Sequence, residues 1–149
     1  MTPTEKLNIK NLSDVEDIGH AFTAEVNYPG GFVFDAFASH WGPLIESGIG
    51  EIFVIRDGTR VVAALGCAFV DDCFSGRKMA CENWWFAHKE HRGHGIANQL
   101  FDAFEAEAAK RGARKIIMGR LETPQAEKLE ALYVRRGYKP LEKTFVKDL

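Results

Sequence analysis

The sequence predicts an α+β domain built on a mixed, mostly antiparallel sheet flanked by helices. Three observations predict it. Between Glu51 and Ala87, apolar and β-branched runs are separated by short turn signals, the pattern of an antiparallel meander. From His94 the apolar spacing becomes helical and stays so to Arg111. A short apolar run, Ala113 to Met118, follows that helix, which favours parallel pairing through a right-handed crossover. At 149 residues the chain reads as a single domain, 1–149, with one core.

Each element has its own signal. Leu7 to Asn11 reads as a short first strand, and Ser13-Asp-Val-Glu16 has the form of a capping box. Val15, Ile18 and Phe22 then continue at helical spacing to about Glu25. Tyr28-Pro-Gly-Gly31 is a turn cluster, and Phe34, Phe37, Ala38 and Trp41 form one face of a second, short helix. Asp57-Gly58 joins the strands Glu51–Arg56 and Arg60–Val70 as a hairpin, and Phe74-Ser-Gly76 leads into a strand from Lys78 to Ala87. In the next helix Ile96, Leu100, Phe101, Phe104 and Ala108 share the inner face, and Gly112 suits its end. A last helix spans about Thr123 to Arg136, with Pro124 in its first turn and Gly137 beyond its end, and Tyr138 to Lys147 finish as a strand.

Composition narrows the function. The net charge of −2 gives no electrostatic footprint for nucleic acid. No run is long and apolar enough to cross a membrane, and the polar start, Met1 to Lys10, lacks the apolar core of a signal peptide, which points to the cytoplasm. Cys67, Cys73 and Cys81 are odd in number and lack zinc-site spacing, so they read as free thiols.

The informative segment is Trp84-Trp-Phe-Ala-His-Lys-Glu-His-Arg-Gly-His-Gly-Ile-Ala97, which ends a strand and opens a helix through glycines. Amides at a helix start lack intrahelical acceptors, and the helix dipole favours an anion there. Gly93 and Gly95 let the main chain approach a phosphate, and Arg92 brings a fixed positive charge. Two other glycine loops fail to fit. The nucleotide P-loop needs Gly-Lys-Ser/Thr, and the dinucleotide fingerprint needs a small residue where Asn98 stands.

Arg92-Gly-His-Gly-Ile-Ala97 instead resembles the R/Q-x-x-G-x-G/A signature of the GNAT acetyltransferases, and the resemblance runs from Glu51 onward. Leu132-Tyr-Val-Arg-Arg-Gly-Tyr138 is similar to the family's second marker, a helix ending in L-Y-x-x-x-G-F/Y. The pair in this order is specific; either alone is weak, and a solvated glycine turn is the alternative reading. The resemblance implies a strand–loop–helix site for acetyl-CoA as cosubstrate. Main-chain groups of Trp85 and Ala87 would meet its pantetheine arm, and Arg92, Gly93, His94, Gly95, Ile96 and Ala97 would hold its pyrophosphate. Three positions depart from the family pattern: Ala87 replaces a usual valine, Lys89 a proline, and Ala126 an asparagine.

By the same resemblance Tyr133 would protonate the leaving thiolate; its other reading is a tyrosine packing the helix onto the sheet. Glu82 is the candidate general base, directly or through water, and strict alternation places it on one strand face with Trp84 and Phe86. Its other reading is a rim residue or structural ion pair. His88, His91 and His94 recur at metal-like spacing, but no carboxylate or cysteine completes a set, so no metal is assigned and they read as exposed loop residues, His94 beside a phosphate. Lys89 either touches the adenosine phosphate or is solvated. Trp84 and Trp85 point to opposite faces, one into the core and one lining the acceptor cleft.

In this family the segment after the first helix grips the acceptor. Here Glu25 to Trp41 carries Tyr28, Gly30, Gly31, Phe32, Phe34 and Trp41, either a pocket wall or a packed core edge. Glu25, Asp35 and Glu82 offer charge to a cationic amine. The implied function is N-acetyl transfer from acetyl-CoA directly to a primary amine of a small molecule or peptide. Its rival is a catalytically silent GNAT domain serving as a CoA-binding sensor or protein adaptor. A homodimer is common in the family, and the final strand offers an edge for one.

Overall fold

The chain enters its sheet through a two-residue strand, β1 (Glu5–Lys6), and then turns into a 3-10 segment over Ile9–Val15. The strand expected at Leu7 to Asn11 and the capping box at Ser13 do not form. The Asn8 side chain accepts from the Lys10 amide at 2.9 Å, and this local bond draws the chain out of the extended state. Ser13 lies inside the 3-10 segment, and α1 (Glu16–Glu25) begins without a side-chain cap. Helix α2 (Phe34–Glu46) is longer than its apolar spacing suggests and runs through Pro43.

The meander forms as expected. Strands β2 (Gly50–Asp57), β3 (Arg60–Asp71) and β4 (Lys78–Ala87) pair antiparallel, with Gly58 at a φ of 60° in the first hairpin. Helix α3 (Ile96–Lys110) follows, and β5 (Lys115–Ile117) returns parallel to β4. The sheet order is β1-β2-β3-β4-β5. All of the inner-face residues expected for α3 are buried, each of the larger ones contributing roughly 2 kcal/mol of transfer free energy.

One sheet face takes α1 and α2. Ile18, Trp41, Ile52, Val54, Ala64 and Phe86 are buried in one cluster, with Trp84 packed against it. The other face takes α3: Phe69 meets Phe104 at 6.5 Å and Trp85 meets Phe101 at 5.0 Å between ring centroids. The adjacent tryptophans therefore point opposite ways, as alternation requires. Trp84 lies 5.8 Å from Phe37 and 6.0 Å from Trp41. A Cβ at Gly66 would collide with its indole, so glycine there lets the ring lie against β3.

Strict alternation fails at one place, and it matters. Gly66 pairs with Trp84 but Cys67 pairs with Glu82, so Asn83 is an extra residue, a β-bulge. Because Gly66 and Cys67 face opposite sides, so do Trp84 and Glu82. Glu82 thus leaves the face of Trp84 and Phe86, where the sequence places it, and joins that of Cys67, Leu65 and Trp85.

The structure is a computed structural model that describes residues 1–149. They resolve into two compact units, Met1–Gly119 and Arg120–Leu149. The second contains α4 (Ala126–Arg135), which starts after Thr123 and Pro124 rather than at them. Gly137, at a φ of 91°, lets the Tyr138 amide return to the Tyr133 carbonyl at 3.0 Å. The strand expected from Tyr138 to Lys147 is absent: no helix or strand follows α4. Pro140 withholds an amide from any ladder, and Leu141, Phe145 and Val146 are exposed. The edge expected to support a dimer is therefore not formed. No helix is long and apolar enough to cross a membrane.

Candidate active site

After β4 a 3-10 turn, Lys89–His91, carries the chain to Gly93 and Gly95 at the mouth of α3. Their φ values are 99° and 74°, left-handed backbone that strains any residue with a Cβ. The space such a Cβ would enter is empty to 4 Å at both positions. Gly95 is the N-cap of α3, and the first bond of that helix runs from the Gln99 amide to the Gly95 carbonyl at 3.0 Å. The amides of Ile96 and Ala97, ahead of that first bond, have no acceptor within the helix and lie at the positive end of its dipole. His94 is exposed and Ala97 half-buried beside them. A turn of this geometry can receive an anion by its main chain.

The neighbouring strand pairs with β5 along only part of its length. Strand β5 pairs with β4 only at Met79, Ala80 and Cys81. Further along, the His88 amide donates to the Val62 carbonyl at 3.0 Å, which fixes the alternation of the ladder. Trp84 and Phe86 direct their main-chain groups to β3, and Trp85 and Ala87 direct theirs away from it. The two residues expected to meet an extended arm thus turn their main-chain groups to the side where β5 does not pair, and the Ala87 carbonyl there accepts from Arg92 Nε at 2.8 Å.

Arg92 is engaged otherwise than its charge suggests. Nη1 and Nη2 donate to the two oxygens of Glu25 at 2.9 and 2.6 Å, and Nε donates to the Ala87 carbonyl at 2.8 Å. The guanidinium also lies 5.1 Å from the Phe86 ring centroid. The Arg92 donors hold the Glu25 carboxyl below its usual range. Glu25 is therefore committed to Arg92, not free for an amine.

His88 corrects the expectation of exposed loop histidines. It is buried, with Nε2 3.2 Å from Asp17 and 3.3 Å from Arg60, because α1 and β3 both reach the start of the loop. His91 is half-buried and His94 exposed. Among the cysteines, burial pushes the Cys67 thiol up to about 12, which removes it as a nucleophile.

Glu82 sits beside the bulge, half-buried, and accepts the Gly119 amide at 2.8 Å. Burial pushes its carboxyl up to about 7, against the opposing pull of that amide. A carboxyl at that value exchanges protons readily near neutrality. Neither Gly119 as the partner of Glu82 nor Glu25 as the partner of Arg92 has a local sequence signal; both contacts join distant segments.

A family model described as an acetyltransferase (GNAT) domain matches residues 48–140. The chain belongs to the GNAT acetyltransferase family. It is an acyltransferase, and its five-stranded, mostly antiparallel sheet with four helices is the GNAT fold. Solved structures with this fold include an aminoglycoside acetyltransferase from an uncultured soil metagenomic sample, at a TM-score of 0.81 and 20% identity over 100% of this chain and 99% of that one. A predicted acetyltransferase with acetyl-CoA from Clostridium acetobutylicum aligns at a TM-score of 0.81 and 15% identity, over 99% of this chain and 96% of that one. A ribosomal-protein-alanine N-acetyltransferase from Brucella melitensis biovar Abortus 2308 gives 0.75 and 19%, over 99% of this chain and 100% of that one. No curated protein matches the sequence.

The second GNAT marker lies in the C-terminal unit. There Tyr133 is buried on α4, its ring 6.0 Å from that of Tyr138. In the segment Glu25 to Trp41, expected to grip the acceptor, Phe32 contacts Phe37, and Phe37 contacts Trp41, so that end of the segment is a packed core edge. Tyr28, Gly30 and Gly31 are exposed, and the indole N–H of Trp84 is buried without an acceptor.

Proposed function

We propose that the protein transfers the acetyl group of acetyl-CoA directly to a primary amine. The observation that carries this reading is the turn at Gly93 and Gly95, open where side chains would stand, at the mouth of α3 and beside the stretch of β4 with which β5 does not pair. A diphosphate fits that turn, with the amides of Gly93 to Ala97 as its donors. An extended pantetheine arm suits the main chain of Trp85 and the amide of Ala87, whose carbonyl is held by Arg92. The family match runs through both compact units, which supports treating 1–149 as one functional domain.

The chemistry asks little of the protein. The amine nitrogen attacks the thioester carbonyl, a C–N bond forms, the C–S bond breaks, and no covalent enzyme intermediate is needed. Glu82 takes the amine proton, directly or through one water, a role supported by its raised carboxyl. Tyr133 returns a proton to the departing thiolate, a role supported by its place in the second family marker. An amine acceptor is also consistent with the N-acetyltransferase description of the Brucella protein.

Calorimetry with acetyl-CoA and free CoA, followed by thiol release with a panel of amines, tests the reading. Saturable binding, competition by CoA and amine-dependent release are expected. Binding without release under any amine would make the domain a CoA-binding sensor or adaptor, and no binding would end the assignment. Tyr133→Phe is expected to lower kcat by about 10- to 100-fold while the acetyl-CoA Kd stays within about twofold. Unchanged turnover would take the proton donor's role from Tyr133.

A further inference from the structure

Arg92 stands at the entrance of the glycine turn, yet its side chain folds back rather than forward. Through Nε it bonds the Ala87 carbonyl, five residues earlier, and so closes the stretch between strand end and turn into a ring. Through both terminal nitrogens it forks onto Glu25, the last residue of α1. Phe86 lies beneath the guanidinium and meets Phe22 of α1 at 5.9 Å. Three groups thus hold one side chain in one pose, and the carboxylate of Glu25 is the only charged one among them. Its side chain is 23% exposed, so the fork is partly sheltered from water.

Gly93 and Gly95 make the turn permissive as well as open. A segment with two glycines loses much backbone freedom when it closes on a ligand, and an anchor at its base lowers that cost beforehand. The geometry points to Glu25 as a positioning residue for acetyl-CoA: by fixing Arg92 onto the Ala87 carbonyl it presets the turn that receives the diphosphate. This rests on the acetyl-CoA reading above and adds a residue that neither family marker contains. Arg92 then acts on the ligand through loop shape, with its charge already balanced by Glu25.

The sign of one substitution separates this from the simpler view that Arg92 contacts phosphate. Removing a carboxylate near a diphosphate site relieves repulsion and releases the guanidinium, so a phosphate-contacting Arg92 predicts tighter binding in Glu25→Gln. A positioning role predicts the reverse. CoA affinity is measured by calorimetry for the wild type, Glu25→Gln, Arg92→Gln and the double variant, with melting temperatures recorded for each. We expect Glu25→Gln to weaken CoA binding by about five- to tenfold and to raise the KM for acetyl-CoA more than it lowers kcat. The double variant is expected to bind no worse than Arg92→Gln, since both act through one strut. Should Glu25→Gln fail to fold, Glu25→Asp, whose side chain is one methylene shorter and draws the carboxylate back from the guanidinium, takes its place in the same comparison. Equal or tighter CoA binding in the Glu25 variant, or losses that simply add, would overturn the inference. Failure of the wild type to bind CoA would instead remove the acetyl-CoA reading on which it stands.

Discussion

Gly95→Glu is expected to raise the acetyl-CoA Kd at least about 100-fold, or about 2.7 kcal/mol, while the protein remains folded. The new Cβ meets nothing within 4 Å, so no packed neighbour must move. The backbone at a φ of 74° charges a penalty on the order of 1–2 kcal/mol, too little to unfold an ordinary domain. The added carboxylate, in contrast, lies at the positive end of α3 and occupies the very donors a diphosphate would use. Gly95→Ala separates the causes, because it carries the same backbone strain without the charge. Its melting temperature is expected to lie at or slightly below that of Gly95→Glu, which gains the carboxylate at the helix start, with CoA affinity between that of the charged variant and the wild type. Calorimetry and thermal unfolding on the same samples check both arms. Undiminished binding in Gly95→Glu would take the turn out of diphosphate recognition.

Where local chemistry decides the structure, the sequence was legible. The strands β2 to β4 and the buried face of α3 follow from alternation and helical spacing, because each is set by which neighbouring residues are apolar. The glycine turn was legible for the same reason: Gly93 and Gly95 both adopt the left-handed backbone for which glycine is suited. What escaped depends on partners far along the chain. Asn83 looks like any strand residue, yet pairing with β3 leaves it over and turns Glu82 to the other face. The Arg92–Glu25 fork joins residues on either side of the meander, and no spacing rule reaches that far. At the N-terminus two local motifs competed, and Asn8 took the chain into a 3-10 segment before Ser13 could cap a helix. The final strand fails on the same principle in reverse, since apolar spacing around Leu141 and Phe145 forms no ladder without a neighbouring strand.

Glu82→Gln is expected to move activity and stability in opposite directions. Burial holds the carboxyl at about 7, against an ordinary 4.5 in the unfolded chain. As a base it must be ionised, so kcat/KM is expected to climb with pH through that value and then level off. In the glutamine variant the climb disappears, and at about pH 8 the loss is on the order of 100-fold. The stability sign follows from proton counts. Because the folded state binds this proton more tightly than the unfolded chain, wild-type stability falls as pH rises through the window from 4.5 to about 7. The full cost on the alkaline side is roughly 3 kcal/mol. Glutamine escapes it, and its amide oxygen still accepts the Gly119 N–H. Urea unfolding is therefore expected to show Glu82→Gln more stable than the wild type at about pH 8 and no different at about pH 4. A structural anchor would behave the other way, losing stability on substitution and keeping its pH–rate profile. Stability gained where turnover is lost marks a carboxyl kept in an unfavourable place for its chemistry, since folding alone would have left it in water or paired it.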